Sequence, residues 1–128
     1  MDELERHAEG MNIRRSVLGD AHVDRAEAAT NSFDEAFQDL ITRYAWAEIW
    51  SRPGLPRHTR SLLTIAMMVA LNRGDELRLH LGAARNNGVT REEISEVLLQ
   101  AAIYCGVPAA NSAFHAAREV FAEQDAAH

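Results

Sequence analysis

The chain has 128 residues, of which 47% are apolar, and its formal net charge is −6. This balance excludes wholesale disorder and gives no reason to expect nucleic acid or an anionic membrane as a partner. The N-terminal residues MDELERH lack the apolar segment of a signal peptide, and the single cysteine, Cys105, excludes an internal disulfide and a cysteine zinc cluster. We therefore expect one cytoplasmic domain over residues 1–128, with a short disordered C-terminus.

The first thirty residues carry the weakest periodic pattern. Residues 2–9 have helical spacing, whereas residues 12–26 follow neither a helix nor a strand period. Residues 1–30 are therefore interpreted as an N-terminal arm or irregular link, with a short helix after Asp20.

A stronger pattern follows this arm. Ser32 and Glu35 have the S-x-x-E spacing of a capping box, and residues 51–54 form a helix breaker, so a helix is expected up to Trp50. It places five apolar side chains on one stripe: Phe33, Phe37, Leu40, Ile41 and Tyr44. Glu48 lies on the extension of this stripe, where a carboxylate is either paired, directed at a ligand, or exposed at the end of the helix.

Residues 55–88 contain the most apolar segment of the chain. Residues 62–71 are apolar except for Thr64, and this run is too short for a bilayer, which requires about 20 residues. It predicts a central helix from Pro56 or Arg57 to Asn72, buried on most of its circumference. Because a small domain has difficulty covering such a helix, we expect the chain to self-associate.

The next predicted helix starts after Gly74, with Asp75 as N-cap, and carries Glu76 and His80. Four residues turn a helix by about 400°, so these two side chains project within about 40° of each other. A carboxylate beside an imidazole suits general acid–base chemistry. The alternatives are an ordinary surface pair or a histidine satisfied within the core. Arg60 and Arg73 lie at the two ends of the central helix, either as anion ligands or as solvated caps.

The last two helices have the clearest boundaries. Thr90 and Glu93 form a capping box, with Val89 and Ile94 at the positions of a hydrophobic staple. The apolar stripe that follows comprises Ile94, Val97, Leu98, Ala101 and Cys105. Gly106 ends that helix and Pro108 opens the last one, which is expected to bury Ala110, Ala113, Phe114, Ala117 and Phe121. With no alternating strand pattern, the chain is predicted to be all-α, with five or six helices around the buried central one.

The chemistry-bearing residues point to a site without a cofactor. The six histidines show no metal-binding spacing, and the sequence has neither a glycine-rich phosphate loop nor G-x-S-x-G. The residues by themselves predict a metal-free acid–base site in a helical domain.

Four segments resemble a known family: WAEIWSRPGL (46–55), RSLLTIAMMVALNR (60–73), ELRLH (76–80) and NNGVTREEISEVLLQAAIYCGVPAANSAF (86–114). With RPGL, ELxxH and YCGVPAA in this order, the chain resembles the 4-carboxymuconolactone decarboxylases of the carboxymuconolactone decarboxylase/AhpD-like superfamily. The resemblance extends over about residues 12–121. It implies a compact AhpD-like helical fold, a homo-oligomer that is commonly a hexamer, and no cofactor.

The superfamily's thiol branch uses C-x-x-C and a histidine four residues after the second cysteine. On this chain the histidine falls on His80, but the cysteines fall on Arg73 and Glu76. Since no redox pair can form, the resemblance does not extend to peroxidase or disulfide-reductase activity.

The resemblance implies decarboxylation of 4-carboxymuconolactone to 3-oxoadipate enol-lactone and CO₂, in protocatechuate breakdown through the β-ketoadipate pathway. His80 is then the expected proton donor or oxyanion stabiliser. Glu76 orients it, and Glu48 is the alternative acid.

The lactone dicarboxylate also needs cationic partners. Arg60 and Arg73 are the expected ligands of its carboxylates, with Arg15 and His22 as further candidates from a neighbouring subunit. The alternative function is a non-redox helical module that binds a small molecule, or a lyase of a related lactone or keto acid.

Overall fold

The computed structural model describes residues 1–127 and contains helices but no strand in that range. The all-α prediction is thus confirmed, although seven α-helices are present where five or six were expected. The chain divides into two compact units, of which the first is Met1–Arg57 and the second begins at His58.

The first unit contains three α-helices and a π-helical segment. Helix α1 spans Glu3–Leu18, α2 spans Asp20–Ala29 and α3 spans Glu35–Ile41, and the π-helical segment Thr42–Trp50 continues α3. The expected helix end at Trp50 is confirmed.

Helix α1 corrects the prediction of an irregular link from residue 12, whereas α2 confirms the short helix expected after Asp20. The Asp2 side chain caps α1 by accepting a hydrogen bond from the Glu5 N–H at 2.8 Å, and α1 ends at Gly19, whose φ of 94° favours glycine. The buried face of α1 includes Gly10, Arg14 and Val17. Gly10 and Arg14 are not large apolar residues. A search for apolar residues at helical spacing therefore does not detect this buried face.

The start of α3 also differs from the prediction. Its N-cap is Asp34, and no side chain caps the helix there. The Asn31 Oδ1 atom instead accepts a hydrogen bond from Phe33 N–H at 2.9 Å, and Asp34 Oδ1 accepts one from Asn31 N–H at 3.0 Å. Since these turn contacts replace the expected Ser32–Glu35 box, the helix begins at Glu35. The predicted stripe is largely exposed at Phe33, Phe37, Leu40 and Tyr44.

The second unit contains the other four α-helices. They are α4 (Arg57–Ala70), α5 (Gly74–Ala83), α6 (Arg91–Tyr104) and α7 (Val107–Ala126), with a 3₁₀ turn at Ala84–Asn87 between α5 and α6. Their core includes Ile65, Leu81, Leu98 and Ala113. The expected C-terminal disorder falls partly on His128, which lies outside the described residues, whereas α7 itself continues to Ala126.

Helix α4 is buried on one face rather than on most of its circumference. Ser61, Ile65 and Val69 are buried at intervals of four residues, while Leu63 and Met67 are exposed. The central-helix prediction is therefore not met within one chain. A continuous apolar run does not distinguish a helix surrounded by its own chain from one with a free apolar face.

The junction between α4 and α5 corrects a second predicted boundary. Asn72 adopts a left-handed φ of 58°, and the Arg73 N–H donates to the Met68 carbonyl at 3.0 Å. Such a contact is typical of a helix C-terminus. Arg73 is consequently the N-cap of α5, in place of Asp75.

The predicted start of α6 is confirmed, but the prediction for its last residue is wrong. Thr90 and Glu93 make both hydrogen bonds of the capping box, and Val89 and Ile94 are both buried. Cys105, expected on the core stripe, is exposed because it follows the end of α6 at Tyr104.

Glu93 also links α6 to the start of α4. Its Oε2 atom lies 2.7 Å from His58 Nε2, and its Oε1 atom accepts a hydrogen bond from the Thr90 N–H at 2.9 Å. The backbone hydrogen bond with Thr90 lowers the pKa of the Glu93 carboxyl most strongly; desolvation opposes this shift, and His58 lowers the pKa further.

This lowered pKa predicts an acid sensitivity. Because the folded chain releases the Glu93 proton more readily than the unfolded chain, the stabilisation is present above the ordinary pKa of 4.5 and is lost as the pH falls below it. We expect Glu93→Gln to show a smaller fall in melting temperature than wild type between about pH 5 and pH 3, measured by circular dichroism. Glu92→Gln, in the same exposed first turn, is the control. Equal slopes for wild type and Glu93→Gln would contradict the prediction.

Candidate active site

Helix α5 presents Glu76 and His80 on consecutive turns. Glu76 lies in the first turn and is exposed, whereas His80 lies in the last turn and is half-buried. Leu77 and Leu81 beside them are buried, which anchors the helix in the core of the second unit. The helix therefore holds an acid and an imidazole at the edge of a packed face, where a ligand can reach them.

The two predicted arginines of this unit lie in different surroundings. Arg60 is half-buried near the start of α4, and Arg73 is the exposed N-cap of α5. Arg73 lines a pocket of about 340 Å³, which Arg60, Glu76 and His80 do not line. The structure thus brings Arg73 to a cavity that Glu76 and His80 do not line.

Glu48 lies in the π-helical segment of the first unit and is paired. Its Oε2 atom lies 2.7 Å from Arg6 Nη1, and this hydrogen bond raises the pKa of the Arg6 guanidinium. The Glu48 carboxylate is therefore bonded to an arginine of α1 and is not directed at an open cavity.

Arg15 and His22 also lie in the first unit. Arg15 Nη1 is 3.1 Å from Asp20 Oδ1 and 2.9 Å from Asp24 Oδ1, so two carboxylates of α2 already neutralise its charge. Burial lowers the pKa of His22, and the positive charges of Arg14 and Arg25 lower it further. His22 is therefore biased towards the neutral imidazole.

Arg14 is a notable residue that the sequence did not single out. It is only 4% exposed, and burial lowers the pKa of its guanidinium. Its Nη2 atom donates to Gln38 Oε1 at 3.2 Å, while Nη1 lies 4.0 Å from Glu27 Oε1. The helical spacing of Gly10, Arg14 and Val17 is the signal that marks its burial.

A second missed group lies on α7 and faces α5. Glu119 Oε2 is 3.0 Å from Arg78 Nη1, and Glu119 Oε1 is 2.6 Å from His115 Nε2. Both Arg78 and His115 line the same pocket as Arg73. The spacing of His115 and Glu119 by four residues was visible in the sequence, but their proximity to Arg78 required the packing of α5 against α7.

The described part of the chain offers neither a metal-binding cluster nor a membrane-spanning helix. Among residues 1–127, no group of three or more His, Cys, Asp or Glu side chains is arranged to hold a metal ion. Within that range, none of the helices combines the length and apolar character that a membrane crossing requires.

Comparison with known proteins identifies the family of the chain. The profile of the carboxymuconolactone decarboxylase family matches residues 35–119. A 4-carboxymuconolactone decarboxylase from Acinetobacter baylyi is 53% identical over 121 residues, which cover 94% of this chain and 90% of that protein. A nitrosuccinic acid decarboxylase from Metarhizium robertsii is 46% identical over 84% of this chain and 76% of its own length. The profile match over more than half of the chain and these identities show that the chain belongs to the carboxymuconolactone decarboxylase family.

Proposed function

We propose that this protein decarboxylates 4-carboxymuconolactone to 3-oxoadipate enol-lactone and CO₂, a step of protocatechuate breakdown through the β-ketoadipate pathway. The observation that carries this proposal is the 53% identity to a 4-carboxymuconolactone decarboxylase over 94% of the chain. Family membership and the all-helical chain also favour an AhpD-like arrangement of the helices.

The chemistry needs little from the protein beyond binding and proton delivery. The bond between the lactone ring and its scissile carboxylate breaks, CO₂ leaves, and the electron pair passes through the double bond into the lactone carbonyl. The resulting dienolate then takes one proton at carbon. Since the substrate supplies its own electron sink, the protein has to hold the carboxylates, stabilise the enolate oxygen and donate the proton.

Helix α5 offers side chains for the last two tasks. We assign His80 as the proton donor or as the hydrogen-bond donor to the enolate oxygen, and Glu76 as the carboxylate that orients it. Both are accessible, as His80 is half-buried and Glu76 exposed. Arg60 and Arg73 are proposed to hold substrate carboxylates. Arg15 is a weaker candidate because two carboxylates pair with it, and Glu48 is weaker because Arg6 holds it.

The direct test is turnover of enzymatically generated 4-carboxymuconolactone, followed by the change in ultraviolet absorbance and by release of CO₂. We expect rapid loss of the lactone with formation of the enol-lactone in equal amount. A folded protein that leaves the substrate at its uncatalysed rate would refute the proposal.

A second candidate substrate class comes from the other relative. The nitrosuccinic acid decarboxylase, at 46% identity, makes a small substituted dicarboxylate an alternative substrate. The same assay with nitrosuccinate separates the two functions, since the preferred substrate has the larger kcat/KM.

We also propose that the chain assembles into a homo-oligomer, with a hexamer expected from the family resemblance. Large apolar side chains are exposed on α4, at Leu63 and Met67, and on α6, at Leu99 and Ile103. An apolar pocket of about 360 Å³ lies between these helices and is lined in part by Leu62, Leu63 and Val97. A monomer rarely leaves such a surface in water, which supports self-association through it.

A charge placed on this surface tests the assembly. We expect Met67→Glu to convert the oligomer into smaller species in sedimentation velocity, because an interface cannot bury an unpaired carboxylate. Ala122→Glu, at an exposed position of α7, should leave the assembly unchanged. Unaltered sedimentation of Met67→Glu would show that this face is not the interface.

A further inference from the structure

The pocket beside the start of α5 is not explained by the acid–imidazole pair. It has a volume of about 340 Å³ and lies among the end of α4, the first turns of α5 and one face of α7. Its apolar lining consists of Met68, Val69, Leu77, Ala109, Ala113 and Ala116. A ligand with a small apolar body of roughly ten to fifteen heavy atoms fits a cavity of this size.

The residues that line the pocket are basic or uncharged, although the chain as a whole is acidic. Although the protein carries 19 acidic and 13 basic residues, the lining contains no Asp or Glu and includes Arg73, Arg78 and His115. The remaining polar lining residues, Asn111 and Ser112 among them, are uncharged donors or acceptors. An acidic protein that gathers two arginines around one apolar cavity favours an anionic ligand there.

Two of the polar lining side chains, Arg78 and His115, are held in place. Glu119 Oε2 accepts from Arg78 Nη1 at 3.0 Å, and Glu119 Oε1 lies 2.6 Å from His115 Nε2. Glu119 is not itself a lining residue. It therefore orients Arg78 and His115 from behind, while the guanidinium retains further N–H groups for a ligand.

The backbone at the start of α5 adds to this electrostatic preference. The N-cap residue, Arg73, provides no side-chain hydrogen bond to the first turn, so N–H groups of that turn remain suited to an anion. Gly74 lines the pocket, and a Cβ atom built on it would meet no atom within 4 Å. A carboxylate therefore has open access to the backbone at this position.

The pocket contacts α5 through its N-terminal residues and through Leu77 and Arg78, and not through the acid–imidazole pair. Two residues turn the helix by about 200°, which places Arg78 about 160° away from both Glu76 and His80. Neither Glu76 nor His80 lines the pocket. Arg78 therefore projects away from the pair, whereas Arg73, three residues before Glu76 and seven before His80, lies on the side of α5 that carries the pair.

We propose that the pocket lined by Arg73, Arg78 and His115 is a binding site for a small carboxylate with an apolar body. The carboxylate contacts Arg78 and the N-terminus of α5, and the apolar body lies against Leu77, Ala113 and Ala116. The ligand of this site is either the substrate itself or a second carboxylic acid. Because Arg73 is also a proposed ligand of a substrate carboxylate, the case in which the substrate itself fills the pocket rests on the proposed function.

Binding is tested with adipate on the full chain, by isothermal titration and by chemical-shift changes in NMR spectra. The uncharged analogue 1,6-hexanediol has the same carbon chain and serves as the matched probe. We expect adipate to bind and hexanediol not to bind. Arg78→Gln should weaken adipate binding by about tenfold or more, since it removes a charged hydrogen-bond donor.

Two further variants separate loss of the site from loss of the fold. Ser112→Phe fills the pocket without changing its charge and should also abolish adipate binding. Arg118→Gln, at an exposed arginine of α7 outside the pocket, should bind adipate like wild type. No adipate binding by wild type, or wild-type affinity for adipate in Arg78→Gln or in Ser112→Phe, would overturn the proposal.

Kinetics then identify the source of the carboxylate. If Arg78→Gln raises KM for 4-carboxymuconolactone and adipate competes with it, the ligand of this pocket is the substrate. If KM is unchanged while adipate binding is lost, the pocket takes a second acid. Both results support a carboxylate site, whereas absence of turnover in wild type bears on the proposed reaction and leaves the titration valid.

Discussion

Replacing His80 with alanine is expected to lower kcat for decarboxylation of 4-carboxymuconolactone by about 10²–10⁴-fold, the usual contribution of a positioned proton donor. His80 stands in the last turn of α5, one turn after Glu76, and is half-buried beside the anchored Leu81. Removing the imidazole deletes the donor without opening the core, because Leu77 and Leu81 carry the packing of this helix.

The loss should appear in kcat more than in KM, since the imidazole acts on the charge that develops during the reaction. His7→Ala is a suitable control: His7 is paired with Asp39 at 3.3 Å in the first unit, and its loss should leave turnover unchanged. Circular dichroism and sedimentation establish that both variants keep their fold and assembly. Full activity in His80→Ala would leave the proposed lyase activity in place but would show that another group donates the proton. Glu48 is the next candidate.

A capping-box motif in the sequence predicted the start of a helix only where no other side chain bonded to the same stretch of backbone. The Thr90–Glu93 capping box forms as expected. Ser32 and Glu35 have the same spacing, but the side chains of Asn31 and Asp34 make the hydrogen bonds of this turn instead. Side chains that bond to a nearby backbone compete with the helix for the same groups. The sequence motif does not reveal which contact is more stable.

Contacts between polar residues were likewise predictable within one helix but not between two helices. The proximity of Glu76 and His80 follows from one helical turn and was predicted from spacing alone. The joining of Arg78 to Glu119 was not predictable, because these residues lie on α5 and α7 and meet only through packing. Long-range packing therefore determines which charges surround the pocket, and sequence periodicity contains no information about it.

Gly10→Ala is expected to produce the largest loss of stability among substitutions of the first unit. A Cβ atom at Gly10 would lie 2.0 Å from the Thr42 carbonyl oxygen and 2.9 Å from its carbon. Thr42 begins the π-helical segment and is only 1% exposed, so neither backbone has room to move. Overpacking of this kind costs about 1–3 kcal/mol and sometimes more, which outweighs the roughly 1 kcal/mol that alanine gains over glycine inside a helix.

Gly82→Ala provides the matched control, because Gly82 also lies within a helix but its Cβ would meet Val120 Cγ1 at an ordinary 3.7 Å. Thermal unfolding at equal protein concentration should show a lower melting temperature for Gly10→Ala and an unchanged or higher one for Gly82→Ala. Equal melting of the two variants would contradict the close contact between α1 and the π-helical segment. That contact matters beyond stability, because the same two elements carry Arg6 and Glu48, 2.7 Å apart. Forcing them apart should also release Glu48 from its arginine, so Gly10→Ala reports on the packing that keeps this carboxylate paired.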